Sequence, residues 1–181
     1  MSAAVVERDS LGTESTHVSR AARTVWAILA VFAVALVASI VAAPLAQSQG
    51  HPQFAGAIYK AYRFVCHQFS DRSFHLAGHQ FAVCSRCTGL YSGFAVAVLA
   101  YPLLRSLRST ESPPRLWLIL AAVPLAVDFA LGYFSIWQNN HLSRFSTGAL
   151  LGAAAVFYIM PGLVDLTSRF GRRRLRTSQI T

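Results

Sequence analysis

The residues of this sequence that are best suited to chemistry are concentrated between positions 66 and 87. All three cysteines and three histidines lie there: Cys66, His67, His75, His79, Cys84 and Cys87. Thiolate and imidazole are ligands that zinc and copper prefer, and a Cys-x-x-Cys spacing lets two thiolates converge on one ion. The segment therefore predicts a site for zinc or another soft divalent metal.

A tetrahedral zinc site needs two ligands beyond the Cys-x-x-Cys pair. Cys66 or His67 can supply the third, and His67, His75 or His79 can supply the fourth. On a helix His75 and His79 would share a face, because they are four residues apart. The metal hypothesis requires the Cys66 sulfur to approach the other two sulfurs within about 4 Å, since Zn–S distances are near 2.3 Å.

The same cysteines also allow thiol redox chemistry. In an oxidising compartment a disulfide can persist between Cys84 and Cys87, or between Cys66 and either of them. Arg86, at the start of a helix, would lower the pKa of a neighbouring thiol. A membrane thiol-disulfide oxidoreductase is therefore the alternative function. A third interpretation treats the cysteines as reduced, buried residues that only fill space.

The elements that position these residues are membrane helices. Of the 181 residues, 54% are hydrophobic and 13% are charged, whereas soluble chains average about 25% charged residues. Four apolar stretches, at about 25–46, 88–104, 116–134 and 145–164, approach the ~20 residues that a spanning helix needs. The sequence predicts an all-α bundle of four transmembrane helices, and it disfavours a soluble or disordered protein.

The chain is interpreted as one transmembrane domain at 24–166, between a disordered cytoplasmic tail at 1–23 and a basic cytoplasmic tail at 167–181. The first span is longer than the apolar region of a signal peptide, so we expect it to be retained as a helix.

Basic residues predict the orientation of the bundle. Eleven of the 16 lysines and arginines lie in the two tails and in the loop between spans two and three. By the positive-inside rule, both termini are cytoplasmic in a cell (plasma) membrane and the loop at 47–87 faces outward. This topology accounts for most of the net charge of +9 without a nucleic-acid partner.

The outward loop is long for a connector, and its first part has a helical pattern. After a turn at Gly50-His51-Pro52, apolar residues recur at Phe54, Ile58, Tyr62 and Val65. This spacing predicts a helix that lies in the membrane interface.

Polar residues near the outward face are expected to surround the cysteines. Asp128 is an acid well inside the third span, where a charge is costly unless it is paired. Arg144 is its first expected partner, and Arg72 and Arg86 are others. These four residues are predicted to form a polar shell around the metal.

Two glycine pairs have the small-x-x-x-small spacing that allows helices to approach closely. Gly89 and Gly93 lie in the second span, and Gly148 and Gly152 in the fourth. They are expected to bring these two spans together, and they could also serve as faces of a homo-oligomer in the lipid bilayer.

The strings Cys66-His67-Gln68, Arg72-Ser73-Phe74 and Cys84-Ser85-Arg86-Cys87-Thr88-Gly89-Leu90-Tyr91 resemble a prokaryotic family of small multi-pass membrane proteins, domain of unknown function family 2085. The similarity covers about residues 55 to 165 and extends to Asp128 and Arg144. The resemblance implies that Cys66, His67, Cys84 and Cys87 form the site, rather than His75 and His79. Phe129 and Leu131 depart from the family pattern, in which Gly and Gln are expected. The resemblance implies no activity.

The sequence thus predicts a multi-pass membrane protein with a Cys/His metal site at its outer face, in a structural or sensing role. It contains no phosphate-binding loop, no Ser-His-Asp set and no paired catalytic carboxylates, so an enzyme is disfavoured. A small transporter or channel subunit is the second alternative.

Overall fold

A computed structural model describes the backbone of residues 3–178 and the side chains of residues 20–169. Its elements in chain order are α1 (Ala3–Ser48), α2 (Pro52–Tyr62), a 3₁₀ turn (Ser70–Arg72), β1 (His75–Leu76), β2 (His79–Gln80), α3 (Ser85–Leu104), α4 (Arg115–Tyr133) and α5 (His141–Ser178).

Within the described residues, four helices are long and apolar enough to cross a membrane, which confirms the predicted number of spans. Their spanning parts are Arg20–Ser48, Ser85–Leu104, Arg115–Tyr133 and His141–Arg169. Large apolar side chains cover the outside of the bundle, for example Val31 on α1 and Trp117 on α4. In a membrane protein such residues face lipid, so their exposure is what a bilayer requires.

Two helices continue beyond the apolar stretches. The structure extends α1 back to Ala3 and α5 forward to Ser178, through segments that the sequence analysis assigns to tails. Once a spanning turn exists, each further helical residue adds a hydrogen bond, so a helix can propagate past the apolar region. The disorder predicted for residues 1–23 therefore differs from the helical backbone described from Ala3.

The glycine pairs bring α3 and α5 into the most extensive helix contact of the fold. A Cβ atom on Gly89 would lie 2.0 Å from the Phe145 carbonyl oxygen, and one on Gly152 would lie 2.0 Å from that of Leu90. The predicted packing of spans two and four is therefore confirmed. These glycine faces pack against each other inside the chain, and a homo-oligomer stays a prediction.

Among the side chains of residues 20–169, two apolar clusters lie along the bundle. One joins α1, α3 and α5 and contains Val98, Tyr101 and Met160. The other contains Ile40, Tyr62, Cys66 and Val83, and it lies at the end of the bundle that carries the connection between α2 and α3. We call this end the loop end, and we call residues 63–84 the cysteine loop. The cysteine loop packs on this second cluster and contributes Cys66 and Val83 to it.

The short helix α2 packs on α1, although not through the whole predicted face. Ala55 and Tyr62 are buried, and the Tyr62 hydroxyl lies 2.7 Å from the Ser39 hydroxyl. Phe54 is 60% exposed and Val65 is 61% exposed. The helix ends at Tyr62. The prediction that Val65 belongs to its apolar face is therefore wrong. The exposed side chains suit the membrane interface.

The histidine pair of the cysteine loop lies on a β-hairpin and not on a helix. His75 pairs with Gln80 and Leu76 pairs with His79 in an antiparallel register. The two turn residues Ala77 and Gly78 have φ values of 51° and 80°, which is the backbone of a two-residue hairpin turn. His75 and His79 therefore lie on opposite faces of the hairpin. The expectation that they share a face of a helix is wrong.

Candidate metal centre

The three cysteines form one cluster at the loop end. The Sγ atoms of Cys66, Cys84 and Cys87 all lie within 4.8 Å of one another. All three are free thiols; Cys66 is buried and the other two are half-buried. Thiolates that share a zinc ion lie about 4 Å apart, so small side-chain adjustments would bring these sulfurs to ligand distance. The cluster could hold a metal ion.

The first turn of α3 positions two of the sulfurs. Cys84 is the N-cap residue of α3, with φ −66° and ψ 161°, and Cys87 lies one turn further. The Thr88 backbone N–H donates to the Cys84 carbonyl oxygen at 2.9 Å. The N-terminus of a helix carries partial positive charge, which favours thiolates there. The Cys-x-x-Cys spacing thus brings two thiols together because it coincides with a helix start.

Cys66 arrives from the other end of the cysteine loop. Its backbone N–H donates to the Tyr62 carbonyl oxygen at 3.0 Å, which continues the last turn of α2. Its Sγ accepts a hydrogen bond from the Cys84 backbone N–H at 3.2 Å. Backbone N–H groups that donate to ligand sulfur commonly orient metal ligands. This bond fixes Cys66 against the start of α3.

Gln68 holds the two ends of the cysteine loop together. Its Nε2 donates to the carbonyl oxygens of Tyr59 at 2.8 Å and Ala82 at 2.7 Å. Its φ of 55° lies in the left-handed region, which costs a non-glycine residue energy. These bonds join α2 to the segment that leads into Cys84. The sequence analysis missed this role, although Gln68 stands next to the predicted Cys66-His67 ligand pair.

The histidines lie apart from the sulfurs. Within the side chains that the structure describes, the metal-capable group contains the three cysteines alone. The His67 ring stacks on Phe69 with centroids 5.8 Å apart, and His75 Nε2 lies 3.1 Å from the Ser70 hydroxyl. His79 is half-buried in β2. The structure therefore brings together Cys66, Cys84 and Cys87 of the predicted ligands, and it leaves His67, His75 and His79 outside.

Asp128 pairs with Arg86, one of the partners considered for it, and not with Arg144. The Arg86 guanidinium forms an ion pair and hydrogen bond with the Asp128 carboxylate. Asp128 is only 8% exposed, and its carbonyl oxygen accepts a hydrogen bond from the Asn139 side chain. The Arg86 guanidinium also lies over the Phe129 ring, 5.6 Å from its centroid. This network connects α3 to α4.

The other two predicted shell residues lie nearby but are differently engaged. Arg72 forms an exposed ion pair with Asp71 at 3.4 Å. Within residues 20–169, Arg144 forms no ion pair. Arg72, Arg86 and Arg144 nevertheless meet at one place, a cavity described next.

A cavity of about 420 Å³ separates the cysteine loop from the loop end of α4 and α5. Its lining includes all three cysteines and the three arginines Arg72, Arg86 and Arg144, together with Val65, His67, Gln68, Phe69, Phe129, Gly132, Tyr133, Ser135 and Asn139. The sulfur cluster and the guanidinium groups therefore belong to one site.

The thiols influence one another within this site. Hydrogen bonds from the Cys66 and Cys87 thiols hold the pKa of Cys84 well below its ordinary value, although burial acts in the opposite direction. A thiolate is the form of cysteine that binds a metal and attacks a disulfide. Cys84 is therefore prepared for either chemistry.

A serine and a histidine connect α3 to α5 beside the site. The buried Ser85 hydroxyl lies 2.8 Å from His141 Nδ1, and the His141 ring packs on Phe74 with centroids 5.5 Å apart. The sequence gives no local signal for this contact, because the two residues are far apart along the chain. It fixes the start of α5 against the start of α3.

The fold and the site define a multi-pass membrane protein with a three-cysteine cluster at one end of its helices. The chain belongs to the DUF2085 family of predicted membrane proteins, whose family profile matches residues 66–158. The matched region begins at Cys66 and contains every residue of the cluster.

Two archaeal relatives are similar to more than half of the chain. An uncharacterised protein of Methanocaldococcus jannaschii is 38% identical over 104 residues, which is 58% of this chain and 67% of the relative. An uncharacterised protein of Methanothermobacter thermautotrophicus is 34% identical over 105 residues, which is 57% of this chain and 93% of the relative. No solved structure matches the chain.

Proposed function

We propose that the protein is a metal-binding protein of the cell membrane, in which Cys66, Cys84 and Cys87 hold one zinc-like ion. The observation that carries this proposal is the convergence of three sulfurs within 4.8 Å from two separate elements. Thiolate ligands select zinc and other soft metals over magnesium or calcium.

The surroundings of the sulfurs support a metal as the reason for their convergence. The Cys84 backbone N–H donates to Cys66 Sγ, and Gln68 fixes the distance between α2 and the start of α3. Such support around ligand atoms is common in metal sites. An ion bound here would join the cysteine loop to the bundle, so we propose a structural or sensing role.

Three protein ligands leave one position of a tetrahedral zinc ion for a further group. His67 is adjacent to Cys66 and lines the same cavity, but its ring is stacked on Phe69. We therefore assign the fourth position to a group from the cavity, such as water, and not to His67.

The test is to purify the protein in detergent, measure its bound metal and count reactive thiols before and after chelation. We expect about one metal ion per chain, and we expect the thiols to become reactive only when the ion is removed. The Cys66→Ser variant should lose the metal. A metal-free protein that contains a Cys84–Cys87 disulfide would overturn the proposal.

His67→Ala is the matched variant for the ligand assignment. Because the His67 ring lies on Phe69, we expect His67→Ala to retain the same metal content as the unmodified protein. If it loses the metal as completely as Cys66→Ser does, His67 is the fourth ligand and the assignment to a cavity group is wrong.

A membrane thiol-disulfide oxidoreductase is a second candidate. The lowered pKa of Cys84 and the two neighbouring thiols favour it, because a low-pKa thiol with a partner sulfur is the usual redox arrangement. Purification under oxidising conditions tests this alternative. A Cys84–Cys87 disulfide that is reversibly reduced, with no metal bound in either state, would support it.

We also propose that the loop end faces outward and that both termini are cytoplasmic. The arginine distribution supports this orientation. In a cysteine-free background, a membrane-impermeant thiol reagent should label Gln53→Cys in intact cells and Glu111→Cys only after lysis. The reverse pattern would contradict it.

A further inference from the structure

We propose that the cavity beside the cysteines binds an oxyanion, namely a phosphate group, through Arg72, Arg86 and Arg144. All three arginines line the cavity. The site goes beyond the proposed metal function, because the guanidinium groups are present whether or not a metal is bound.

The charge balance of the cavity favours an anion. Three guanidinium groups line it, and Asp128, which pairs with Arg86, neutralises one of them. Arg72 has only an exposed partner in Asp71, and Arg144 forms no ion pair within residues 20–169. Because arginine stays protonated in proteins, these guanidinium groups would attract an anion into the cavity.

One hydrogen-bond donor on a residue that lines the cavity also lacks an acceptor. The buried Nε of Arg86 finds no acceptor among the described residues, although its Nη2 bonds Asp128. A buried N–H without an acceptor is costly, and a ligand oxygen can satisfy it. The ion pair with Asp128 therefore leaves capacity on the Arg86 guanidinium.

The three arginines come from three different elements. Arg72 ends the 3₁₀ turn, Arg86 lies in the first turn of α3 and Arg144 lies in the first turn of α5. Convergence of guanidinium groups from several directions suits a tetrahedral group with several oxygens, and Arg binds phosphate through paired N–H donors. A phosphate group meets this requirement.

The remaining walls indicate where the phosphate would lie. Val65, Phe69, Phe129 and Tyr133 supply apolar surface, and Tyr133 is the last residue of α4. The cavity thus lies at the end of a spanning helix, at the level of the lipid headgroups. The phosphate could belong to a lipid headgroup or to a small soluble molecule, because both present the same oxygens.

The experiment measures binding of inorganic phosphate to the full chain in detergent, by calorimetric titration of the chelated and the metal-loaded protein. We expect saturable binding in both forms. Arg144→Gln and Arg72→Gln should each weaken it by about tenfold or more, the loss expected for a charged hydrogen bond. Arg63→Gln is the matched control, since Arg63 is an exposed arginine at the loop end outside the cavity.

Equal phosphate affinity in all three variants and the unmodified protein would overturn the proposal, as would the absence of saturable binding. Arg72 is exposed, so Arg72→Gln keeps the test valid if Arg144→Gln fails to fold. An unmodified protein that binds phosphate but holds no metal would remove the metal proposal alone, so the two proposals fail separately.

Lipid nanodiscs distinguish the two sources of phosphate. If phosphatidylglycerol in the nanodisc abolishes binding of inorganic phosphate whereas phosphatidylcholine does not, an anionic lipid headgroup occupies the site. If inorganic phosphate binds equally in both lipids, the ligand is a soluble anion. In either case, phosphate affinity must fall in Arg72→Gln and Arg144→Gln. Affinity that is unchanged in both variants contradicts the proposed phosphate site.

Discussion

The two walls of the cavity are built in different ways. The cysteine wall consists of the cysteine loop and the start of α3, and it is backed by the glycine contact between α3 and α5. The opposite wall is the loop end of α4, a helix in which only Ala121 and Asp128 are buried. One wall is held by backbone packing and the other by a polar network.

The two walls therefore have different roles in the site. A metal site needs ligands that are fixed to fractions of an ångström, and the cysteine wall offers that rigidity. The α4 wall packs on α5, and it contacts α3 through the Arg86–Asp128 pair and the Phe129 ring beneath the Arg86 guanidinium. We therefore expect metal binding to depend on the cysteine wall, and the attachment of α4 to α3 to depend on these polar contacts.

Gly152→Val should have the largest effect, because it breaks the support of the cysteine wall. A Cβ there would lie 2.0 Å from the Leu90 carbonyl oxygen, and backbone atoms cannot yield as a flexible side chain can. We expect a loss of about 3 kcal/mol or more in unfolding free energy, measured by denaturant titration in detergent. Gly162→Val on the same helix, where nothing lies within 4 Å, should cost far less. Similar losses in both variants would show that the contact does not matter.

Asp128→Ala should detach the α4 wall while the cysteine wall stays in place. It leaves the Arg86 guanidinium without its carboxylate, and breaking such a pair costs about 3 kcal/mol or somewhat less here, since Arg86 is 23% exposed. We expect reduced thermal stability with the metal content unchanged. Loss of the metal in this variant would contradict the independence of the two walls.

Gln68→Ala should have a smaller effect on stability and a larger one on the metal. It removes two hydrogen bonds to the Tyr59 and Ala82 carbonyl oxygens, which costs about 1–2 kcal/mol. Because those bonds set the distance between Cys66 and the start of α3, the metal affinity should fall by about tenfold or more. A competition titration with a chelating dye measures it. Unchanged affinity would mean that Gln68 does not position the ligands.

Asp165→Asn should have the smallest effect. It removes an ion pair with Arg169 at 2.8 Å, in which the Arg169 side chain is 70% exposed. Exposed pairs contribute less than about 1 kcal/mol. The comparison with Asp128→Ala, in the same unfolding assay, separates a surface pair from the buried one that holds α4. Equal losses would remove the special role given to Asp128.

The sequence was sufficient to predict the features that depend on local composition and spacing. Apolar length gave four spans, Cys84-x-x-Cys87 marked a helix start, and the glycine pairs gave the α3–α5 contact. The resemblance to the family, carried by residues around Cys66 and Cys84, is confirmed by the family match.

Features that depend on tertiary geometry could not be predicted from the sequence alone. The sequence placed Arg144 first among the expected partners of Asp128, and only the placement of α3 selects Arg86. The turn at Ala77-Gly78 allows a hairpin as well as a helix, so the position of His75 and His79 could not be deduced from their spacing alone.

The central claim, that three sulfurs hold one metal ion and leave a fourth position to the cavity, is tested most directly by X-ray absorption at the metal edge of the purified protein. We predict three sulfur neighbours at about 2.3 Å and one lighter atom, with the sulfur count reduced in Cys66→Ser. A first shell without sulfur, or a protein that binds no metal while its three thiols are reduced, would contradict the account.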